Sequence, residues 1–82
     1  MTPQDYAKIV TAALFVVAPD VEGVEVIPNK TFRDQFEIDS MDFLNFVIGL
    51  SKATGLEIPE ADYAQLETLD DCVAYLQRKM GR

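Results

Sequence analysis

The stretch Phe36-Glu37-Ile38-Asp39-Ser40-Met41-Asp42-Phe43-Leu44-Asn45-Phe46-Val47-Ile48-Gly49-Leu50 decides how the rest of the chain is read. From Met41 to Leu50, seven of ten residues are apolar, whereas a helix on the surface of a domain needs one apolar stripe. With roughly 100° of turn per residue, Phe43, Phe46, Val47 and Leu50 collect on one face, and Met41, Leu44 and Ile48 on a second, about 130° away. The first face serves a core. The second has two readings: a helix central in a bundle and buried on both sides, or a face that seeks a different contact. Asp39 and Ser40 are both favoured capping residues, so the helix opens at one of them and runs to about Ala53, where Gly55 stops it. Taken alone, a serine in this place is a helix cap.

Outward from this helix, the chain reads as a row of helical elements without repeats or low-complexity stretches. On the amino side, Thr2 is placed as an N-cap, Pro3 at the first helical position and Asp5 in the first turn. Tyr6, Ile9, Val10, Ala13, Leu14 and Val17 then recur at helical spacing until Pro19 halts the run. The apolar run Ile9 to Ala18 follows Lys8 and loosely resembles the core of a signal peptide. It is too short to span a bilayer, Thr11 interrupts it, and the residues before it include Asp5 and no basic cluster, so a buried helix is expected.

Between Pro19 and Asp39, Val21, Val24, Val26 and Ile27 alternate with acidic residues. A lone strand without a partner would be unstable. The segment is therefore expected to cross the bundle as a loop pinned by Ile27, Phe32 and Phe36, with one helical turn from Phe32 to Gln35. On the carboxyl side, Pro59 starts a short helix over Glu60 to Leu66. The last helix opens at Thr68, with Asp71 three residues on in the manner of a capping box, and puts Leu69, Cys72, Val73, Leu76 and Met80 on one face. Arg78 and Lys79 suit its negative end, and Gly81 ends it. The expected fold is all-α: one domain over residues 1–82, a small four-helix bundle of three long helices and one short, with a long loop between the first two.

Composition narrows the function. Fourteen acidic residues against seven basic ones give a net charge of -7, which repels nucleic-acid phosphates and anionic headgroups and favours partners with basic surfaces. Neither nucleic-acid binding nor stable membrane insertion is expected. A single cysteine, Cys72, excludes an internal disulfide and a Cys-x-x-Cys site, and fits the cytoplasm. It reads as a small buried hydrophobe, and Tyr63 and Tyr75 as core or rim aromatics.

Catalysis finds few tools here. The chain contains no histidine, so a Ser-His-Asp triad is impossible. Lys52 lies twelve residues from Ser40 on the same helix, about 18 Å away at 1.5 Å per residue, too far to take its proton directly. Asp34, Asp39 and Asp42 do not make a calcium loop, because Phe36 and Ile38 stand where oxygen ligands are needed and the turning glycine is missing. No Gly-rich phosphate loop exists. The expectation is a protein that is not an enzyme and holds no metal.

Taken together, the chain resembles the acyl carrier protein family over essentially its whole length. Asp39-Ser40-Met41-Asp42 is similar to the family's Asp-Ser-Leu-Asp motif, Phe32 and Phe36 fall at its apolar anchors before the serine, and Glu57-Ile58-Pro59 resembles its Glu-Ile-Pro lead into the third helix. The resemblance implies that Ser40 receives a 4′-phosphopantetheine arm from coenzyme A, attached by a separate magnesium-dependent phosphopantetheinyl transferase, and that the arm's thiol carries acyl groups as thioesters. Asp39 and Asp42 would then help partners recognise the site. Met41, Leu44 and Ile48 would supply apolar contacts, with Asn45 beside them.

Three features depart from the family pattern. Glu37 stands where a glycine usually precedes the Asp-Ser pair, so the loop into Ser40 is expected to take a different path. Asn45 replaces a common acidic residue. Gly49, Ser51 and Lys52 stand in place of further carboxylates, which reduces the acidic docking surface and its electrostatic steering. These departures point to a stand-alone carrier in a specialised lipid or polyketide-type pathway, served by dedicated acyl-loading and acyl-processing enzymes with basic docking patches; a monomer is expected, because the apolar stripe of Met41, Leu44 and Ile48 already has a use. They point away from the housekeeping carrier of fatty-acid synthesis. An aminoacyl or peptidyl carrier would use the same serine. An unmodified helical module, with Ser40 as a cap and the Met41, Leu44 and Ile48 face binding a protein, is the alternative from another class.

Overall fold

Thr2 and Asp5 close the first helical turn from both sides. The Thr2 hydroxyl accepts from the Asp5 backbone N–H at 3.2 Å, and the Asp5 carboxylate accepts from the Thr2 backbone N–H at 2.9 Å. That backbone hydrogen bond, followed by the one from the Thr2 side chain, holds the Asp5 carboxyl below its ordinary pKa. The helix so begun, α1, spans Pro3–Val17 and ends ahead of Pro19, which opens a single 3₁₀ turn over Pro19–Val21. In this computed structural model, which describes residues 2–81, three more α-helices follow: α2 at Phe32–Gln35, α3 at Ser40–Thr54 and α4 at Leu69–Leu76. The expected short helix is present at Glu60–Leu66 but is wound as a 3₁₀ helix, and α4 gives way at Gln77–Gly81 to a π-turn carrying Arg78 and Lys79. No strand occurs among the described residues.

The architecture is the expected small helical bundle. Tyr6, Val10 and Leu14 of α1 are buried, and α1 packs against both α3 and α4. The Ile9–Ala18 run is thus core helix on one side, and no described helix is long and apolar enough to cross a membrane. Phe43, Phe46, Val47 and Leu50 of α3 are all buried, as their spacing requires. Cys72 sits in the same core, where its S–H donates to the Leu66 carbonyl at 3.3 Å and burial pushes the thiol pKa far up, leaving it a space-filling group.

Two details of the long loop differ from expectation. Ile27 does not pin it: Ile27 is 47 % exposed, whereas its neighbour Val26 is 8 % exposed and belongs to the core. A loop has no period to phase, so which of two adjacent apolar residues turns inward is set by remote contacts. The contact here is Gln35, whose side-chain oxygen accepts from the Ile27 N–H at 2.9 Å while its nitrogen donates to the carbonyls of Ile27 and Lys30. The Asp70 N–H donating to the Pro28 carbonyl and the Phe32 N–H to the Glu67 carbonyl fasten the same loop to the start of α4. At Thr68 the cap is one-sided, the hydroxyl accepting from the Asp71 N–H at 3.0 Å.

Gly55 terminates α3 in the left-handed region at φ 76°, and its N–H donates to the Ser51 carbonyl at 2.8 Å. A side chain there is strained whatever space surrounds it. Gly55→Ala is expected to destabilise the fold by about 1 kcal/mol, lowering the melting temperature by roughly 4–8 °C in a circular-dichroism melt.

Candidate functional site

The start of α3 is built by Asp39, not by Ser40. The Asp39 carboxylate accepts from the Asp42 N–H at 2.9 Å, and the Asp42 carboxylate accepts from the Asp39 N–H at 3.4 Å. This reciprocal box makes Asp39 the N-cap and Ser40 the first helical residue, which corrects the reading of the serine as a cap. The distinction matters chemically. A capping hydroxyl is committed to a backbone N–H, whereas a hydroxyl at the first helical position is spare, and Ser40 is exposed. The positive end of a fifteen-residue helix lies beneath it, a favourable place for a covalently attached anion.

The segment before it delivers Ser40 to that position. Phe32 is buried with its ring edge-on to Phe46, centroids 5.3 Å apart. Phe36 and Ile38 are buried on either side of exposed Glu37. The Ile38 N–H donates to the Phe36 carbonyl at 3.0 Å, closing a γ-turn around Glu37. Three apolar anchors in seven residues therefore fix the backbone leading into Asp39 and Ser40.

The second face of α3 is outward. Met41 is 70 % exposed, Leu44 and Ile48 are each 43 % exposed, and Asn45 lies exposed among them. Of its two readings, burial on both sides is therefore excluded. Asp39 is exposed and Asp42 half-buried, so both carboxylates border the serine while also serving the cap.

A cleft of 420 Å³ opens beside Ser40, with Phe43 and Leu44 of α3 along one wall, Glu60, Tyr63 and Ala64 of the 3₁₀ helix along the other, and Thr31 and Arg33 at its α2 end. The Arg33 guanidinium sits 5.5 Å from the centre of the Phe43 ring, and Tyr63 meets the same ring edge-on at 6.3 Å. The far wall is held by α4 and the π-turn after it: the Tyr75 hydroxyl donates to the Asp62 carboxylate at 2.8 Å, and Arg78 donates to Gln65. Burial first, and that hydrogen bond second, push the Tyr75 pKa up to about 12, so the donor stays protonated at neutral pH. Arg33 and the cleft were not foreseen from the sequence. Tyr63, read there as a core or rim aromatic, lines the cleft that Ser40 also lines. Among the described residues no group of three His, Cys, Asp or Glu side chains comes together in a way that could hold a metal ion.

An exposed serine hydroxyl with no histidine to activate it, at a positive helix end and beside a cleft, suits a group that another protein attaches. Comparison with known proteins agrees. The family described as "Phosphopantetheine attachment site" matches residues 12–76, a span that includes Ser40. The meromycolate extension acyl carrier protein of Mycolicibacterium aurum is 35 % identical over 72 residues, covering 84 % of this chain and 74 % of that protein. The protein of the same name from Mycobacterium tuberculosis is 32 % identical, covering 84 % of this chain and 63 % of that protein. The acyl carrier protein of Rhodococcus erythropolis is 32 % identical, with 84 % and 79 % covered. The chain belongs to the acyl carrier protein family, whose members bear a covalent 4′-phosphopantetheine and serve as carriers.

Proposed function

We propose that Ser40 is the attachment point of the arm and that the chain carries acyl intermediates in a specialised lipid pathway. The single observation behind the site is the spare, exposed hydroxyl at the first position of α3, freed by the Asp39–Asp42 box. The arm, once bound, supplies a thiol that forms thioesters. The chain's own residues present and orient it. Asp39 and Asp42 fix the helix start, the helix end stabilises the diester charge, and Met41, Leu44 and Ile48 offer a partner enzyme an apolar strip flanked by carboxylates. A phosphopantetheinyl transferase and acyl-processing enzymes with basic patches would meet that strip. With Asn45 and Lys52 on α3, the steering charge is concentrated at the serine end. A specialised pathway is supported by the relatives named for meromycolate extension, which share most of this chain's length.

The test uses the spacing of basic residues. No lysine or arginine lies between Arg33 and Lys52, so trypsin releases residues 34–52 as one peptide. After incubation with coenzyme A, magnesium and a broad-specificity transferase, the phosphopantetheinyl mass is expected on that peptide, and fragmentation should assign it to Ser40. Ser51, the other serine of the peptide, is half-buried and its hydroxyl donates to the Leu56 carbonyl. Mass on Ser51, or no added mass at all, would refute the assignment and favour an unmodified interaction module.

A further inference from the structure

We propose that Arg33 is the anion-binding residue of the cleft and that it holds the phosphodiester of an arm attached to Ser40, directing the arm along the Phe43 and Tyr63 wall. This rests on the reading of Ser40 as the attachment point.

Arg33 is held in place from below. It belongs to the single-turn helix α2, capped by the Thr31 hydroxyl, and follows Phe32, which is buried against Phe46 and whose N–H donates to the Glu67 carbonyl at 2.9 Å. Its guanidinium lies over Phe43. Phe43 is three residues on from Ser40, so the two share one side of α3, and Arg33 and Ser40 line the same cleft.

Charge makes the need for a cation specific. Asp34, Glu37, Asp39 and Asp42 flank the serine in sequence, and Arg33 is the last basic residue before Lys52. A diester on Ser40 adds another negative charge to this cluster. The helix end offsets part of the repulsion, and a guanidinium can offset the rest by donating two parallel N–H bonds to two phosphoryl oxygens. An aromatic ring stabilises the Arg33 charge without consuming N–H donors, which stay available for an oxyanion. Glu60 and Glu67 also line the cleft, Glu67 next to the Arg33 segment through its carbonyl's bond with the Phe32 N–H, and both compete for the guanidinium. They also repel a phosphate, so Arg33, the one cation among the described residues that line the cleft, is the group left to hold it. From there the rest of the arm has the Phe43, Leu44 and Tyr63 surfaces before it.

Arg33 is exposed, so Arg33→Gln and Arg33→Lys should keep the fold, which their unmodified amide spectra check. Each ¹⁵N-labelled protein is loaded with the arm, intact mass verifying completeness, and spectra before and after are compared. In wild type the Arg33 Nε–Hε resonance should move on loading. The loading-induced shifts at Tyr63 and Ala64 should fall roughly two-fold or more in Arg33→Gln and partly recover in Arg33→Lys, while those at Met41, beside the attachment point, persist. An unmoved Nε–Hε resonance, or undiminished shifts at Tyr63 and Ala64 in Arg33→Gln, overturns the proposal and leaves the attachment site standing. Failure of wild type to load removes the attachment site and the proposal together.

Discussion

Ser40→Ala is expected to abolish loading by a phosphopantetheinyl transferase while the protein melts within about 4 °C of wild type, since exposed substitutions away from caps and cores change stability by about 0.5 kcal/mol or less. The two effects separate because the helix start does not depend on the serine. Asp39 and Asp42 hold the cap, and alanine is at least as good a helix former as serine at the position it would take. Asp39→Ala makes the converse test. It leaves the hydroxyl in place and removes the cap, so it should destabilise by about 1 kcal/mol, or roughly 4–8 °C, and slow loading without preventing it. Intact mass spectrometry and a thermal melt on the same samples read both quantities. Persistent loading of Ser40→Ala would move the attachment point elsewhere. A large loss of stability in that variant would show that Ser40 supports the helix after all.

Asp39 and Ser40 also show where the sequence stops being decisive. Both are favoured caps, and they are adjacent, so local propensity cannot say which one turns its side chain back on the helix. Asp42 resolves the choice through geometry: three residues after Asp39, it can return the bond. Elsewhere local signals were enough. Thr2, Pro3 and Asp5 start α1 as their types require, Gly55 ends α3, and the apolar spacing of Phe43, Phe46, Val47 and Leu50 picks the face that α3 buries. The outward Met41, Leu44 and Ile48 face was visible as an excess of apolar residues. Its exposure could be known only once the other helices were placed.

What was illegible depends on contacts far apart in sequence. The cleft joins Arg33 to residues 60–67 across the intervening α3, and no periodicity links segments so distant. Val26 is chosen over Ile27 by the reach of the Gln35 side chain and by the Pro28–Asp70 bond. The winding of residues 60–66 as a 3₁₀ helix likewise escapes the pattern of apolar residues. Leu66 is its one buried residue, so too little of the segment faces the core to set a period.

Phe46→Ala is expected to have the largest effect on stability, about 3–5 kcal/mol, from lost burial and the cavity left behind. Phe46 is fully buried, and its ring contacts Phe32 at 5.3 Å and Phe43 at 6.0 Å between centroids. At roughly 0.05–0.15 kcal/mol per residue, 82 residues supply a total of about 4–12 kcal/mol, so the substitution removes a large share and can unfold the chain outright. Phe46→Leu keeps most of the volume and should cost less than about 1.5 kcal/mol. Urea titration measures both from the midpoint and the slope, and a stability loss below about 1 kcal/mol for the alanine variant would mean that the core closes around the gap. The consequence for function follows from position. Phe46 holds Phe32, Phe32 carries Arg33, and Phe43 lies beneath the guanidinium. Even where Phe46→Ala remains folded, Ser40 should still load, because the Asp39–Asp42 box is intact, while the shifts that loading induces at Tyr63 and Ala64 weaken as they do in Arg33→Gln. One buried ring thus links the stability of the bundle to the direction its arm takes.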